Sequence, residues 1–199
     1  MLRHVYIDKY RCFVNFELDL GPQQLLLGLN GTGKSTLLDA LTAVKRLVTG
    51  EGDPSALFPE RSTTRWQVRP QLTFELHVEL DASYRFRLEL HPGDSPPRTR
   101  VSSEAVFCDG RPMFLFLDGE VQLFNDEFEH RVTYPFDPFR SALATIQPGR
   151  DNVKLTTFLR WIARLHCLRL IRLRCPVMPR VKMRLRSRTC PISLPGIGI

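Results

Sequence analysis

Residues 25–41 read LLLGLNGTGKSTLLDAL, an apolar run, then a turn with glycine at 28, 31 and 33, then a segment with apolar residues at helical spacing. Each part restricts the chain. QLLL, Gln24 to Leu27, is short and apolar without alternation, the pattern of a central strand covered on both faces. Glycines allow the sharp, positive-φ backbone that other residues avoid. Leu37, Leu38, Leu41, Val44 and Val48 then recur as one face of a helix that Gly50 ends. A strand feeding a helix through a glycine turn predicts an α/β fold.

The turn also carries chemistry. Gly28, Gly33, Lys34 and Ser35 complete the spacing GxxxxGKS, the P-loop over residues 28–35. Without side chains in the way, successive backbone N–H groups can curl around phosphate oxygens, and the following helix adds the positive end of its dipole. Lys34 brings a point charge to the β- and γ-phosphates, and the Ser35 hydroxyl is a hard oxygen ligand suited to Mg²⁺. Gly31 belongs to the same loop. Asn30, Thr32 and Thr36 are either direct phosphate contacts or ordinary turn and first-turn residues.

The flanking sequence is rich in strand signals. LRHVYID reads as a strand, and FVNFELDL alternates Val14, Phe16, Leu18 and Leu20 with polar residues. QLTFELHVEL and YRFRLELH alternate in the same way and predict two antiparallel strands joined at DAS. After a Pro- and Ser-rich loop at 92–100, VFCDGRPMFLFLDGEVQLF strings three short strands on the turns Asp109-Gly110 and Asp118-Gly119, a β-meander. VTYPFDPFRSAL reads as irregular. DNVKLTTFLRWIARL predicts a helix with Asp151 or Asn152 as N-cap.

The net charge of +7 is unevenly spread. Residues 1–151 hold 17 Lys+Arg against 21 Asp+Glu, a net of −4, whereas residues 152–199 hold 11 Lys+Arg and no acid, a net of +11. Basicity therefore says nothing about residues 1–151, and raises DNA or RNA as partners only for the tail. Five cysteines and five histidines are scattered without zinc-ligand spacing. No apolar run approaches a membrane span and MLRHVYIDKY lacks a signal-peptide core, so a cytoplasmic protein without membrane contact is expected.

VYIDKYRCFVNFELDL followed closely by LLLGLNGTGKSTLLDAL resembles the N-terminal lobe of the ABC-type, AAA family ATPases of the RecF, SMC and OLD group, over roughly residues 2–165. The resemblance implies an ABC-type P-loop NTPase lobe with an antiparallel β-subdomain at about 66–136. It also implies ATP and Mg²⁺ as cofactors, and ATP held between two lobes of a homodimer or of a complete partner subunit. By the same resemblance the KYRCF turn, Lys9 to Phe13, lies near the nucleotide with Arg11 as the contact.

Hydrolysis in that family also needs a Walker B segment of four apolar residues and Asp-Glu, a signature sequence and a switch histidine. The sequence contains none of them. FLFLDGE, Phe114 to Glu120, imitates the first, but Asp118 is better explained as the opening residue of a type I′ turn. Gln147 stands where the family places a metal-binding glutamine, an argument from position alone. Residues 1–170 are expected to form a partial ATP-binding domain that hydrolyses ATP weakly or not at all. The Arg-, Pro- and Cys-rich 171–199 is expected to be disordered or out of frame in a truncated or frameshifted product. The alternative is a non-enzymatic nucleic-acid-binding or interaction module that uses this tail.

Overall fold

A computed structural model describes residues 1–64, 71–93 and 98–167. All eight described strands belong to one sheet, and each pairs antiparallel with its neighbours. They are β1 (Leu2–Asp8), β2 (Phe16–Asp19), β3 (Leu72–Glu79), β4 (Ser83–Pro92), β5 (Thr99–Cys108), β6 (Arg111–Leu117), β7 (Glu120–Phe124) and β8 (His130–Pro135). The order across the sheet is β2-β1-β3-β4-β5-β6-β7-β8. Helices α1 (Lys34–Val48), α2 (Pro54–Leu57) and α3 (Val153–Ala163) accompany it.

Period-2 patterning decides what the sheet buries. Leu72, Phe74, Leu76 and Val78 of β3 and Tyr84, Phe86, Leu88 and Leu90 of β4 are buried, while Thr73, Glu75, Arg85 and Arg87 between them are not. The core continues into α1 through Leu37, Leu41, Val44 and Leu47. It reaches α3 through Leu155, Phe158 and Ile162, and the Phe158 ring lies 6.0 Å from Tyr84 and 5.7 Å from Phe86. Asp109-Gly110 and Asp118-Gly119 all have positive φ, as the two type I′ turns require. Asp118 is thus a turn residue.

Four sequence expectations fail. Gln24–Leu27 is not a strand: none of the eight strands pairs with it, and Leu25 and Leu27 are 75% and 81% exposed. VTYPFDPFRSAL is not wholly irregular, because β8 pairs with β7 although most of its residues are exposed and carry little apolar signal. At α3 neither expected side chain caps the helix. Asp126 accepts from the backbone N–H groups of Val153 at 2.8 Å and Lys154 at 2.9 Å, while Asp151 pairs with Arg131 at 3.0 Å. Strand β5 begins at Thr99, inside the expected loop. No helix among the described residues is long and apolar enough to cross a membrane. The described residues fall in one unit, Met1–Cys167, and the tail at 171–199 and the start of the β-subdomain at 66–70 lie outside them.

The carboxylate of Glu104 on β5 is fully buried and ties down the single turn Leu143–Thr145. It accepts from the Ser141 hydroxyl at 2.7 Å and the N–H groups of Ala142 at 3.1 Å and Leu143 at 3.3 Å. Burial pushes its pKa from 4.5 up to about 7, against the lowering effect of those three donors. The folded state therefore keeps a proton that the unfolded chain releases, so stability falls as pH rises from 4.5 to about 7 and then levels. At about 1.4 kcal/mol per unit the effect is on the order of 3 kcal/mol. Glu104→Gln should remove this component. Urea midpoints at pH 5 and pH 8 should differ less in the variant than in the parent, by about 1–3 kcal/mol in unfolding free energy. An unchanged difference would show that Glu104 ionises freely.

Candidate phosphate-binding site

The loop between Gln24 and α1 is closed by its own lysine. Lys34 Nζ donates to the carbonyls of Gly28 at 2.7 Å and Leu29 at 2.6 Å and to Thr32 Oγ1 at 3.1 Å. Thr32 Oγ1 donates in turn to the Leu29 carbonyl at 3.0 Å. This ring leaves no space for a side chain at residue 28, where a Cβ would stand 2.8 Å from Thr32 Oγ1. Gly31, with φ of 88°, forms the outer bend, and Asn30 beside it is exposed.

Behind the ring α1 begins without a side-chain cap and with no acid in its first turn. The first helical bond from this end is Leu37 N–H to the Gly33 carbonyl at 2.9 Å. The N–H groups of Lys34, Ser35 and Thr36 thus point out of the helix without a partner among the described residues. Ser35 is exposed beside them. An uncapped helix start, an ammonium group and a hydroxyl thus come from consecutive residues at one helix end, the set of groups that suits an anion of several charges with a hard cation. The residues present therefore fit a Mg²⁺-bound polyphosphate. A cavity of about 260 Å³ adjoins this spot, lined by Phe13, Phe16, Leu18, Leu26, Leu27 and Leu37 together with Gly28, Thr32, Gly33 and Lys34.

The KYRCF turn reaches the loop by a different residue from the one the resemblance implies. Phe13 packs on Gly33: a Cβ at residue 33 would lie 2.8 Å from Phe13 Cε1 and 3.3 Å from Cys12 Sγ. Nothing in the sequence marks Phe13 for this beyond its place in the turn. Arg11 instead lies along the flank of α1. Its Nη1 donates to Asp39 Oδ2 at 2.7 Å and its guanidinium sits 5.1 Å from the Tyr10 ring centre. Both line a second cavity with Thr42 and Arg46, about one helical turn from Ser35. Gln147 is not brought to the loop. It follows the turn whose Ala144 Cβ approaches Gly50, at the opposite end of α1 from Lys34. Among the described residues no group of three or more His, Cys, Asp or Glu is placed to hold a metal ion.

Gly33 combines a φ of 96° with this close approach to Phe13. Gly33→Ala should cost about 1–3 kcal/mol in unfolding free energy. Phe13→Ala in the same chain should recover the steric part, giving a coupling of about 1 kcal/mol in a double-mutant cycle read by urea denaturation. Strict additivity would mean that the strain is purely backbone.

With this geometry in view, the comparison with known families is specific. Residues 4–102, about half of the chain, match a family model described as an AAA domain. No curated protein matches the chain. The matched span runs from β1 through the phosphate loop and α1 into β5, so the chain is similar there to AAA-type ATPase domains, which bind ATP.

Proposed function

We propose that the chain binds ATP with Mg²⁺ at Gly28, Asn30, Gly31, Thr32, Gly33, Lys34, Ser35 and Thr36, and that it resembles the RecF, SMC and OLD group in doing so. The observation that carries this reading is the ammonium of Lys34, held by two carbonyls and a hydroxyl in front of an uncapped helix start. Those three oxygens stand in for phosphate oxygens. When a polyphosphate enters, Lys34 exchanges neutral acceptors for charged ones, and charge-assisted bonds are roughly twice as strong. The N–H groups of Lys34, Ser35 and Thr36 orient the anion, and the Ser35 hydroxyl offers one ligand to the cation, whose charge offsets that of the phosphates.

Binding does not make this chain a fast hydrolase. A carboxylate that anchors the cation and a group that orients water are both required. Asp39, the acid nearest the loop in sequence on α1, is engaged by Arg11, and Asp118 lies in a meander turn. Arg11 stays a proposed nucleotide contact only if its pair with Asp39 opens.

Two measurements test the reading together. Titration with a fluorescent ATP analogue in Mg²⁺ should show saturable binding that Lys34→Ala weakens about 10- to 100-fold without changing the circular dichroism spectrum, the loss expected for one charged hydrogen-bond partner. Turnover of ATP should fall at least about a hundredfold below the ~1–10³ s⁻¹ usual for enzymes. Equal affinity in the Lys34→Ala variant would overturn the binding site. Turnover in the usual range that Lys34→Ala abolishes would overturn the second claim.

A further inference from the structure

The outer face of the sheet carries a pair of histidines that the phosphate loop does not use. His4 on β1 and His77 on β3 are direct cross-strand neighbours, with ring centres 5.0 Å apart and planes tilted by 41°. Val5 and Leu76, next to them along the strands, are buried, so both imidazoles stand on the face turned away from the core. Each ring is held by a carboxylate. His4 Nδ1 bonds Asp19 Oδ1 at 2.7 Å, and His77 Nε2 bonds Glu75 Oε1 at 2.6 Å. An ionised carboxylate only accepts, so these two nitrogens carry the protons. The neutral rings then keep a lone pair on His4 Nε2 and on His77 Nδ1, and neither nitrogen has a hydrogen-bond partner among the described residues.

An imidazole whose other N–H is held by a carboxylate is the usual form of a metal-ligating histidine, because the carboxylate fixes the tautomer and raises the basicity of the free nitrogen. Two such rings side by side suit one ion. Zn–N bonds of about 2.0–2.1 Å at a tetrahedral angle place two ring centres roughly 5 Å apart. The surroundings favour a cation. A cavity of about 390 Å³ opens beside the pair, with Glu17 and Glu75 in its lining, and Asp19 lies against His4. Arg87 also lines the cavity but is paired with Glu89 at 2.6 Å, and Arg85 lies 4.8 Å from the centre of the Phe107 ring on β5.

We propose that His4 and His77 form a binding site for a first-row transition-metal ion such as Zn²⁺, held by His4 Nε2 and His77 Nδ1. Imidazole suits zinc, copper and nickel rather than the hard Mg²⁺. Two histidines are fewer than a three-residue metal group, which is absent among the described residues, so water completes the four positions. With two protein ligands in place of four, the Kd falls in the micromolar range. The ion cross-links β3 to the strand that leads into the Phe13 turn, and binding therefore stabilises the folded chain. No group of the phosphate loop takes part, so this site stands or falls apart from the ATP-binding proposal.

Calorimetric titration of the whole chain with zinc chloride, without nucleotide and in excess Mg²⁺, should show a saturable site with a micromolar Kd, and zinc should raise the thermal midpoint by a few degrees. His4→Gln and His77→Gln keep a polar side chain on the sheet face, and each should weaken binding at least about tenfold. The imidazole ¹⁵N resonances of the parent chain should move most at His4 Nε2 and His77 Nδ1, a readout that needs no variant. Zinc binding that survives both substitutions would assign the ion to thiols such as the exposed Cys12 and overturn the proposal. Loss in only one variant, no saturable binding below about 1 mM, or ¹⁵N shifts confined to the other histidines would overturn it equally.

Discussion

The phosphate loop depends on one contact, the Phe13 ring against the bare Cα of Gly33. The turn that carries Phe13 is itself over-determined. Lys9, Arg11 and Asn15 adopt positive φ, a conformation that non-glycine residues hold only when their surroundings insist. Here the Asp8 carboxylate accepts from the Asn15 N–H at 2.9 Å, the Arg11 N–H donates to the Ser62 carbonyl at 2.7 Å, and Tyr10 is buried against Phe58 and Phe74. Tension is thus passed from the sheet, through a strained turn, to the last glycine of the loop. The helix start is held in place by packing, and the loop in front of it by the Lys34 and Thr32 hydrogen bonds together with the packing of Leu26.

Those hydrogen bonds bring donors to a cluster of like dipoles. Carbonyls turned toward one centre repel, and N–H groups left unpaired at a helix start carry partial positive charge. Lys34 neutralises the first problem by bonding two carbonyls. In the proposed binding, a polyphosphate displaces Lys34 from three acceptors before it gains the ammonium, so part of the interaction is offset by that exchange.

How much of this was legible in the sequence follows the range of the interactions concerned. The alternation in β3 and β4, the Asp-Gly turns and the apolar stripe of α1 are local signals, and each produced the expected element. The turn before α1 is local in the same way, since Gly28, Leu29, Thr32 and Lys34 satisfy one another within seven residues. What escaped is non-local. Asp126 caps a helix 27 residues away, Glu104 anchors a turn 39 residues on, and β8 exists because β7 offers it an edge. The pattern LLL reads as a central strand, but composition cannot say whether neighbouring strands are there to make it one.

That last failure separates two requirements that the motif is usually thought to join. The antiparallel sheet buries its apolar face under α1 and α3 and ends in the short strands β2 and β8, so its stability owes nothing to pairing at Gln24–Leu29. The groups proposed to bind phosphate belong to α1 and to the turn before it, which the same core fixes through Leu37 and Leu41. Only Leu26, among the three consecutive leucines, contributes to that core. The described core can accordingly form and hold the helix start in place although none of the described strands pairs with the approach to the loop. Burial decides the first property and pairing the second, and among the described residues only burial is complete.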